Sequence, residues 1–241
     1  MGGRLRLDPP LQLGRLIVRY KRFLADVEMA DGSVLTVHCP NTGAMSGCSE
    51  PGSEVWISDS GNDKRKYRHT LEVVCTSRGR IGVNTARANR LVEEAILGGA
   101  MEQLTGYACL KREVAIPDEA GRFDFRLSDS GRASDPSCFV EVKNLTLCHE
   151  GGRGAFPDAV SERAVRHVNA LVRRVQAGDR GVLVFCVQHT GVQRATTADE
   201  IHPAYGATLR AALTEGVEVY AYGCEIDRDR IDIVGRIPVE V

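Results

Sequence analysis

Two acidic residues and a lysine fall on neighbouring strands in the middle of the chain. Residues 121–127 alternate apolar and polar side chains, which predicts a half-buried strand that carries Asp124. A turn rich in Gly, Ser, Asp and Pro follows, and the segment Phe139–Lys143 then predicts the partner strand of a hairpin. Because successive side chains on a strand point to opposite faces, Glu141 and Lys143 share one face. If Asp124 lies on that face of its own strand, two carboxylates and one ammonium group converge.

Such a group can bind a divalent cation through oxygen ligands, with the ammonium close to a phosphate or an attacking water. We therefore predict a Mg²⁺ (or Mn²⁺) site in which Asp124, Glu141 and the carbonyl of Val142 are the ligands. Lys143 would position the water or offset the charge of the phosphate. Glu113 on a strand or Glu94 on a helix is a further candidate for the acidic cluster, and the alternative for each is a plain surface glutamate. The alternative is a solvated strand face, whose cross-strand ion pairs contribute less than about 1 kcal/mol.

The order of the surrounding elements favours the metal site. Helical apolar periods, strand patterns and glycine stops predict a series of elements after residue 85. The series is a helix at 90–97, strands at 112–116, 122–127 and 138–145, a helix from 157 to about 177, a strand at 181–187, a helix around 203–215 and a strand at 217–222. This αβββαβ order resembles the core of the PD-(D/E)xK nucleases, in which an Asp and a Glu-x-Lys lie on the second and third strands. We therefore predict a C-terminal α/β domain of nuclease-like architecture at residues 85–241.

Two side chains on the helix after the third strand are candidates for binding a phosphate. Arg163 and His167 lie along one edge of the apolar stripe of that helix. A guanidinium and an imidazole at this spacing can clamp a phosphate. The alternative is a salt bridge at the helix edge or a core histidine with satisfied hydrogen bonds.

Residues 1–84 are predicted to form a separate small β-barrel. Short strands at 11–20, 23–29, 33–39, 54–58, 70–75 and 80–84 are separated by turn-rich segments, and Asp31-Gly32 is a strong hairpin signal. An OB-like barrel fits this size, and such barrels commonly bind single-stranded nucleic acid through basic and aromatic residues. Two clusters have that composition: Arg19, Lys21 and Arg22 beside Tyr20, and Lys64, Arg65 and Lys66 beside Tyr67. The alternative is that both clusters are ordinary solvated loops.

Composition excludes several other classes of protein. The 241 residues carry a net charge of −1 and contain no apolar run long enough to predict a membrane span, so no membrane partner is expected. The N-terminus lacks the apolar core of a signal peptide. The eight cysteines form no C-x-x-C pair, which favours reduced thiols in the cytoplasm over a disulfide framework. A zinc site at His38, Cys39 and Cys48 is disfavoured because the paired ligand spacing is missing.

Several strings of residues resemble the sugar fermentation stimulation protein A (SfsA) family, over essentially the whole chain. They are Arg19–Val27, His38–Met45, Lys64–Tyr67, Asn84–Thr85, Asn89–Leu91, Asp124–Phe125, Val140–Leu147 and Phe156–Arg163. The resemblance implies an OB-like N-terminal domain, a nuclease-like C-terminal domain and a cytoplasmic bacterial or archaeal protein. It also implies DNA binding and a role in regulating sugar (maltose) utilisation.

Three functions are compatible with these observations. The first is a DNA-binding protein with a metal-dependent site that cleaves phosphodiester bonds in single- or double-stranded DNA with little sequence specificity. The second is a non-catalytic DNA-binding regulator of sugar utilisation genes that keeps the fold and the cation site. The third is RNA binding or processing through the barrel, since OB surfaces tolerate either sugar.

Overall fold

The computed structural model describes residues 3–117, 119–129 and 136–241. It contains three helices, α1 (Ala86–Leu97), α2 (Glu162–Gln176) and α3 (Pro203–Thr214). Its strands are β1 (Arg4–Arg6), β2 (Gln12–Tyr20), β3 (Leu24–Met29), β4 (Val34–His38), β5 (Glu54–Asp59), β6 (His69–Thr76), β7 (Gly79–Gly82), β8 (Cys109–Ala115), β9 (Arg122–Ser128), β10 (Cys138–Leu145), β11 (Leu147–His149), β12 (Arg153–Phe156), β13 (Arg180–Val187), β14 (Arg194–Thr197), β15 (Glu218–Ile226), β16 (Arg230–Ile237) and β17 (Val239–Glu240). The predicted turn between β9 and β10 lies mostly outside the described residues.

The N-terminal strands close into a five-stranded barrel with OB topology. Each of β2 to β6 has two neighbours in the cyclic order β2-β3-β4-β6-β5, and the circle closes where His38 of β4 pairs with Thr70 of β6. The β3–β4 hairpin turns at Gly32, which adopts a φ of +80° that a glycine accepts without steric cost. Inward-facing apolar side chains, including Leu16, Val27 and Ile57, form the buried barrel core. The prediction of an OB-like barrel is confirmed.

The C-terminal domain is a seven-stranded mixed sheet covered by helices on both faces. Its strand order is β1-β16-β15-β13-β10-β9-β8, and the central pairs β10–β13 and β13–β15 are parallel. Along β13, Val182 and Val184 pack on the α1 side, whereas Leu183 and Phe185 pack on the side of α2 and α3. A continuous apolar strand is expected when both faces are buried. The order α1, β8, β9, β10, α2, β13 confirms the predicted αβββαβ architecture.

Two structural details differ from the sequence expectation. Residues 4–6 pair with β16 of the C-terminal sheet rather than with the barrel, because β16 offers an open edge that β1 covers. Helix α2 starts at Glu162, not near residue 157, since the side chain of Ser161 accepts a hydrogen bond from the N–H of Ala164 and caps the helix there. Val160 consequently lies before the helix and is exposed.

No helix in the described part of the chain is long and apolar enough to cross a membrane. All eight cysteines are free thiols, and five of them are buried: Cys39, Cys48, Cys138, Cys186 and Cys224.

The first prediction concerns these thiols. All eight cysteines are free, and the five buried ones act as small apolar side chains in the cores. A reducing agent should therefore change neither the intact mass nor the melting temperature of the purified protein. Mass spectrometry and thermal melting with and without reductant test this. A mass gain on reduction, with a loss of stability, would show that disulfides form.

Candidate functional site

Asp124 lies where the strands β9 and β10 separate. The antiparallel ladder between them ends at the pair Phe125 and Val140. Beyond that pair, Oδ2 of Asp124 accepts a hydrogen bond of 2.7 Å from the N–H of Val142. Its other oxygen, Oδ1, accepts one of 2.7 Å from the side-chain amide of Asn89 on α1. The carboxylate therefore fills the gap between the strands and is fixed from both sides.

Glu141 is a buried carboxylate with two basic partners. Its Oε1 lies 2.6 Å from Nζ of Lys143, which follows two residues later on the same face of β10. The same oxygen lies 2.5 Å from Nδ1 of His167 on α2. The second oxygen, Oε2, is buried and contacts no hydrogen-bonding group in the described part of the chain. An unpaired carboxylate oxygen in this environment is costly unless a further ligand satisfies it.

The two carboxylates influence each other electrostatically. Burial and, after it, the negative charge of Glu141 raise the pKa of Asp124 to about 6. Burial also acts to raise the pKa of Glu141, but Lys143 and His167 outweigh it and hold that pKa below its ordinary value. Neighbouring carboxylates of this kind favour either a shared proton or a bound cation.

The residues at this position fit a hard divalent cation such as Mg²⁺. Among the described residues no group of three or more His, Cys, Asp and Glu side chains forms a metal site. Mg²⁺ does not require one, because proteins usually hold it by one or two carboxylates together with waters and substrate phosphates. Asp124 and Glu141 supply the two carboxylates, and the unpaired Oε2 of Glu141 is a free oxygen donor. Val142 contributes its N–H to Asp124, and its proposed role as a carbonyl ligand stays a prediction.

The structure does not bring Glu113 against the other two acids. It borders the same cleft as Asp124, a space of about 600 Å³ between α1 and the strands β8 and β9. Its side chain is 57% exposed, and it lies 3.9 Å from the guanidinium of Arg122. The residue has a φ of +53°, and the pairing of β8 with β9 keeps one register on both sides of it, with Arg112 opposite Phe125 and Val114 opposite Phe123.

His167 and Arg163 are also placed differently from the expectation. His167 is buried and is held by Glu141, so its ring does not reach a surface where it could contact a phosphate. Nε of Arg163 lies 3.4 Å from Nε2 of that ring, while the rest of the arginine is exposed at the helix edge. The structure thus gives His167 as a buried histidine that is hydrogen-bonded to Glu141, which is the alternative that the sequence left open.

The barrel contributes one wall of the site. A cleft of about 280 Å³ lies between the barrel loop at residues 40–43 and the C-terminal residues Asn89, Lys143 and Asn144. The loop is docked on the C-terminal domain, since the N–H of Met45 donates to Oδ2 of Asp158. The sequence analysis gave Asn89 no role, because a single amide in a helix has no spacing that reveals its partner.

The two basic clusters occupy equivalent loops of the barrel. Lys21 and Arg22 lie in the β2–β3 loop, and Lys64, Arg65 and Lys66 lie in the β5–β6 loop; all five side chains are exposed. These are the connections between the first two and the last two barrel strands, which are the loops through which OB folds bind oligonucleotides.

Arg19 differs from the rest of its cluster. One of its guanidinium nitrogens, NH2, donates to the carbonyl oxygens of Arg22, Asn41 and Gly43, each at 2.9 Å. It therefore ties the β2–β3 loop to the loop at residues 40–43. The structure assigns it a bracing role, whereas the sequence had grouped it with the phosphate-binding residues.

Comparisons with known proteins agree with this architecture. The family model "SfsA N-terminal OB domain" matches residues 17–83, and the model "Sugar fermentation stimulation protein RE domain" matches residues 86–230. A sugar fermentation stimulation protein homolog of Hahella chejuensis is 52% identical and covers 98% of this chain and 97% of its own length. A homolog of Shewanella sp. strain MR-4 is 47% identical over 98% of this chain and 100% of its own.

A solved structure has the same fold. The Pyrococcus furiosus SfsA, described in complex with Ca²⁺, matches with a TM-score of 0.88 at 24% sequence identity and covers 100% of both chains.

The bracing role of Arg19 leads to a second prediction. Replacing Arg19 by Ala removes three hydrogen bonds to loop carbonyls, so the free energy of unfolding should fall by about 1–3 kcal/mol. Lys21→Ala, two residues away and exposed, is the matched control and should change it by less than about 0.5 kcal/mol. Denaturant titrations of the two variants provide the comparison. Equal stability of Arg19→Ala and the wild type would return Arg19 to the set of free surface cations.

Proposed function

The chain belongs to the sugar fermentation stimulation protein family, and from this premise and the site geometry we propose that it binds DNA and cleaves phosphodiester bonds with the help of a divalent cation. The observation that carries the proposal is the buried Glu141, whose Oε2 contacts no hydrogen-bonding group among the described residues. Burial and, after it, the charge of Glu141 raise the pKa of the neighbouring Asp124. A Mg²⁺ or Mn²⁺ ion held by these two carboxylates would neutralise phosphate charge and lower the pKa of a bound water. The Ca²⁺ of the Pyrococcus furiosus structure supports a cation site in this family.

Different residues would have different roles in such a site. Asp124 is kept in place by Asn89 and by the N–H of Val142. His167 fixes the orientation of Glu141 from the core side. Lys143 borders the cleft on the barrel side, and its ammonium group would offset the charge that develops on a phosphate there. The exposed lysines and arginines of the two barrel loops would bind the DNA backbone without reading its sequence.

A second candidate function is a DNA-binding regulator that does not cleave. The observation in its favour is that only two carboxylates converge in the described part of the chain, since Glu113 pairs with Arg122 instead. Under this alternative the cation would neutralise the site and support DNA binding, and the family's link to sugar utilisation would act through that binding.

The third prediction tests the cation site. Without metal, Asp124 and Glu141 repel a nearby phosphate, so Ca²⁺ should tighten DNA binding by the wild type, by roughly tenfold or about 1.4 kcal/mol. Glu141→Gln removes one negative charge at nearly constant shape and should lose most of this Ca²⁺ effect. Fluorescence anisotropy with a labelled oligonucleotide, with and without Ca²⁺, measures both.

Glu94→Gln serves as the control for this experiment, because Glu94 borders the same cleft but pairs with Arg90. It should keep the full Ca²⁺ effect. Cleavage of plasmid and single-stranded DNA in Mg²⁺ or Mn²⁺ distinguishes the two candidate functions, since only the nuclease loses an activity in Glu141→Gln, Asp124→Asn and Lys143→Ala. If divalent cations change the affinity for DNA in neither the wild type nor any variant, the acidic residues between 113 and 143 belong to an ordinary solvated strand face.

The fourth prediction concerns the barrel loops. Lys64→Ala/Lys66→Ala removes two exposed cations from the β5–β6 loop, so binding to any DNA sequence should weaken and the salt dependence should become shallower. For single strands the slope of log affinity against log salt should fall by about 1.4. Lys111→Ala/Arg166→Ala removes two exposed cations elsewhere and is the matched control. Equal slopes in the two double variants would exclude the loop from the interface.

A further inference from the structure

Three clefts surround the first turns of α1. The first, of about 450 Å³, lies between the N-terminal segment, the barrel and α1, and we call it the junction cleft. The other two are the cleft that contains Lys143 and the cleft that contains Asp124. Neighbouring clefts share wall residues: Pro40 borders the first and second, Arg90 the first and third, and Asn89 the second and third. The three spaces therefore adjoin one another around the helix.

Some of the charged side chains that border the junction cleft are held in ion pairs, and others are not. Arg87 is bound by the buried Glu72 through two hydrogen bonds, which makes this wall rigid. Asp59 is bound by Arg68, so its negative charge is already compensated. Two further cations, Arg6 and Arg65, have no ion pair among residues 3–117, 119–129 and 136–241.

Arg90 adds a third accessible cation on the helix side. It pairs with Glu94 but remains 59% exposed, so part of its guanidinium can reach another anion. Of the acids that border the junction cleft, only Asp8 opposes these three arginines, because Glu72 and Asp59 are bound by Arg87 and Arg68. The cleft thus offers a positive lining that begins at the β5–β6 loop and ends at the space containing Asp124.

We propose that the three clefts form one continuous path for a single strand of nucleic acid. The strand runs from Arg65 in the barrel loop, along Arg6 and Arg90 in the junction cleft, to the carboxylate of Asp124. Beyond Asn89 the path continues in the cleft that contains Lys143. This inference rests on the proposed function and adds to it the substrate class and the route by which one strand contacts both domains.

The curvature of the path selects a single strand over a duplex. The route bends around an α-helix, whose diameter with side chains is about 10–12 Å. Double-stranded DNA has a persistence length of roughly 150 base pairs and cannot follow such a bend cheaply. A single strand can follow it, and the OB loops at the start of the route are of the kind that binds single strands.

The test, and the fifth prediction, uses Arg6→Ala/Arg90→Ala. Both side chains are exposed, so the melting temperature should stay close to that of the wild type, and Arg→Gln at both positions provides a second version if it does not. Binding of labelled oligo(dT) of increasing length is measured without divalent cations at several salt concentrations. Wild-type affinity should rise with length until the strand spans the barrel loop and the site. The double variant should bind the long strand roughly tenfold more weakly, with a salt slope smaller by about 1.4, and should stop gaining affinity at a shorter length.

Arg166→Ala is the matched control, because it removes an exposed helical arginine that borders none of the three clefts. It should behave like the wild type at every length. If Arg6→Ala/Arg90→Ala also behaves like the wild type while Lys64→Ala/Lys66→Ala binds weakly, the path is wrong and the proposed function stands. If no oligonucleotide binds the wild type, the proposed function fails as well. Tighter binding of a duplex of equal length, with the same loss in the double variant, would overturn the single-strand assignment.

Discussion

The buried charge of Glu141 is the constraint around which the C-terminal domain is arranged. A carboxylate in the middle of a sheet is tolerated only with charged and hydrogen-bonding partners, and removing one partner of a buried pair typically costs about 3–5 kcal/mol. Lys143 lies beside Glu141 because side chains two residues apart on β10 share one face, whereas His167 reaches Glu141 from α2. The packing of α2 on the sheet is therefore tied to the position of this carboxylate. Lys143 and His167 both contact Oε1 of Glu141, so they stabilise its negative charge. Oε2 has no hydrogen-bond partner among the described residues.

Asp124 shows how a local break in a sheet creates a site. Had the β9–β10 ladder continued past Phe125, backbone groups would have paired there, and Asp124 would have been an ordinary strand residue. The strands separate instead, and a side-chain oxygen takes the N–H of Val142. Asp124 is therefore buried close to Glu141, and burial together with the charge of Glu141 raises the pKa of Asp124. Two negative charges that the fold keeps together in a poorly solvated place are a persistent electrostatic cost, and a divalent cation is the natural counter-charge.

Periodic patterns in the sequence predicted what depends on a single strand or helix. The alternation at 121–127 and the apolar run at 181–187 reflect the burial of each strand, so the αβββαβ order and the pairing of Glu141 with Lys143 followed from them. Contacts between segments that are distant in the chain produce no periodic pattern in the sequence. The bracing role of Arg19, the contact between His167 and Glu141, and the pairing of residues 4–6 with β16 each join segments far apart in the chain. Glu113 was a candidate only because it is an acid on a neighbouring strand, and its position 3.9 Å from the guanidinium of Arg122 could not be predicted from that pattern.

The barrel shapes the site as well as carrying the basic loops. Arg19 holds the carbonyls of Asn41 and Gly43, and Asp158 of the C-terminal domain accepts from Met45, so the loop at residues 40–43 is fixed from both domains. A Cβ atom at Gly43 would lie 2.5 Å from Oδ2 of Asp158, so a side chain here would displace the carboxylate that accepts from Met45. The cleft beside Lys143 exists only because the two domains meet in this way. A C-terminal domain without the barrel would retain both carboxylates but lose the wall that faces Lys143, so this cleft is a property of the junction and not of either domain by itself.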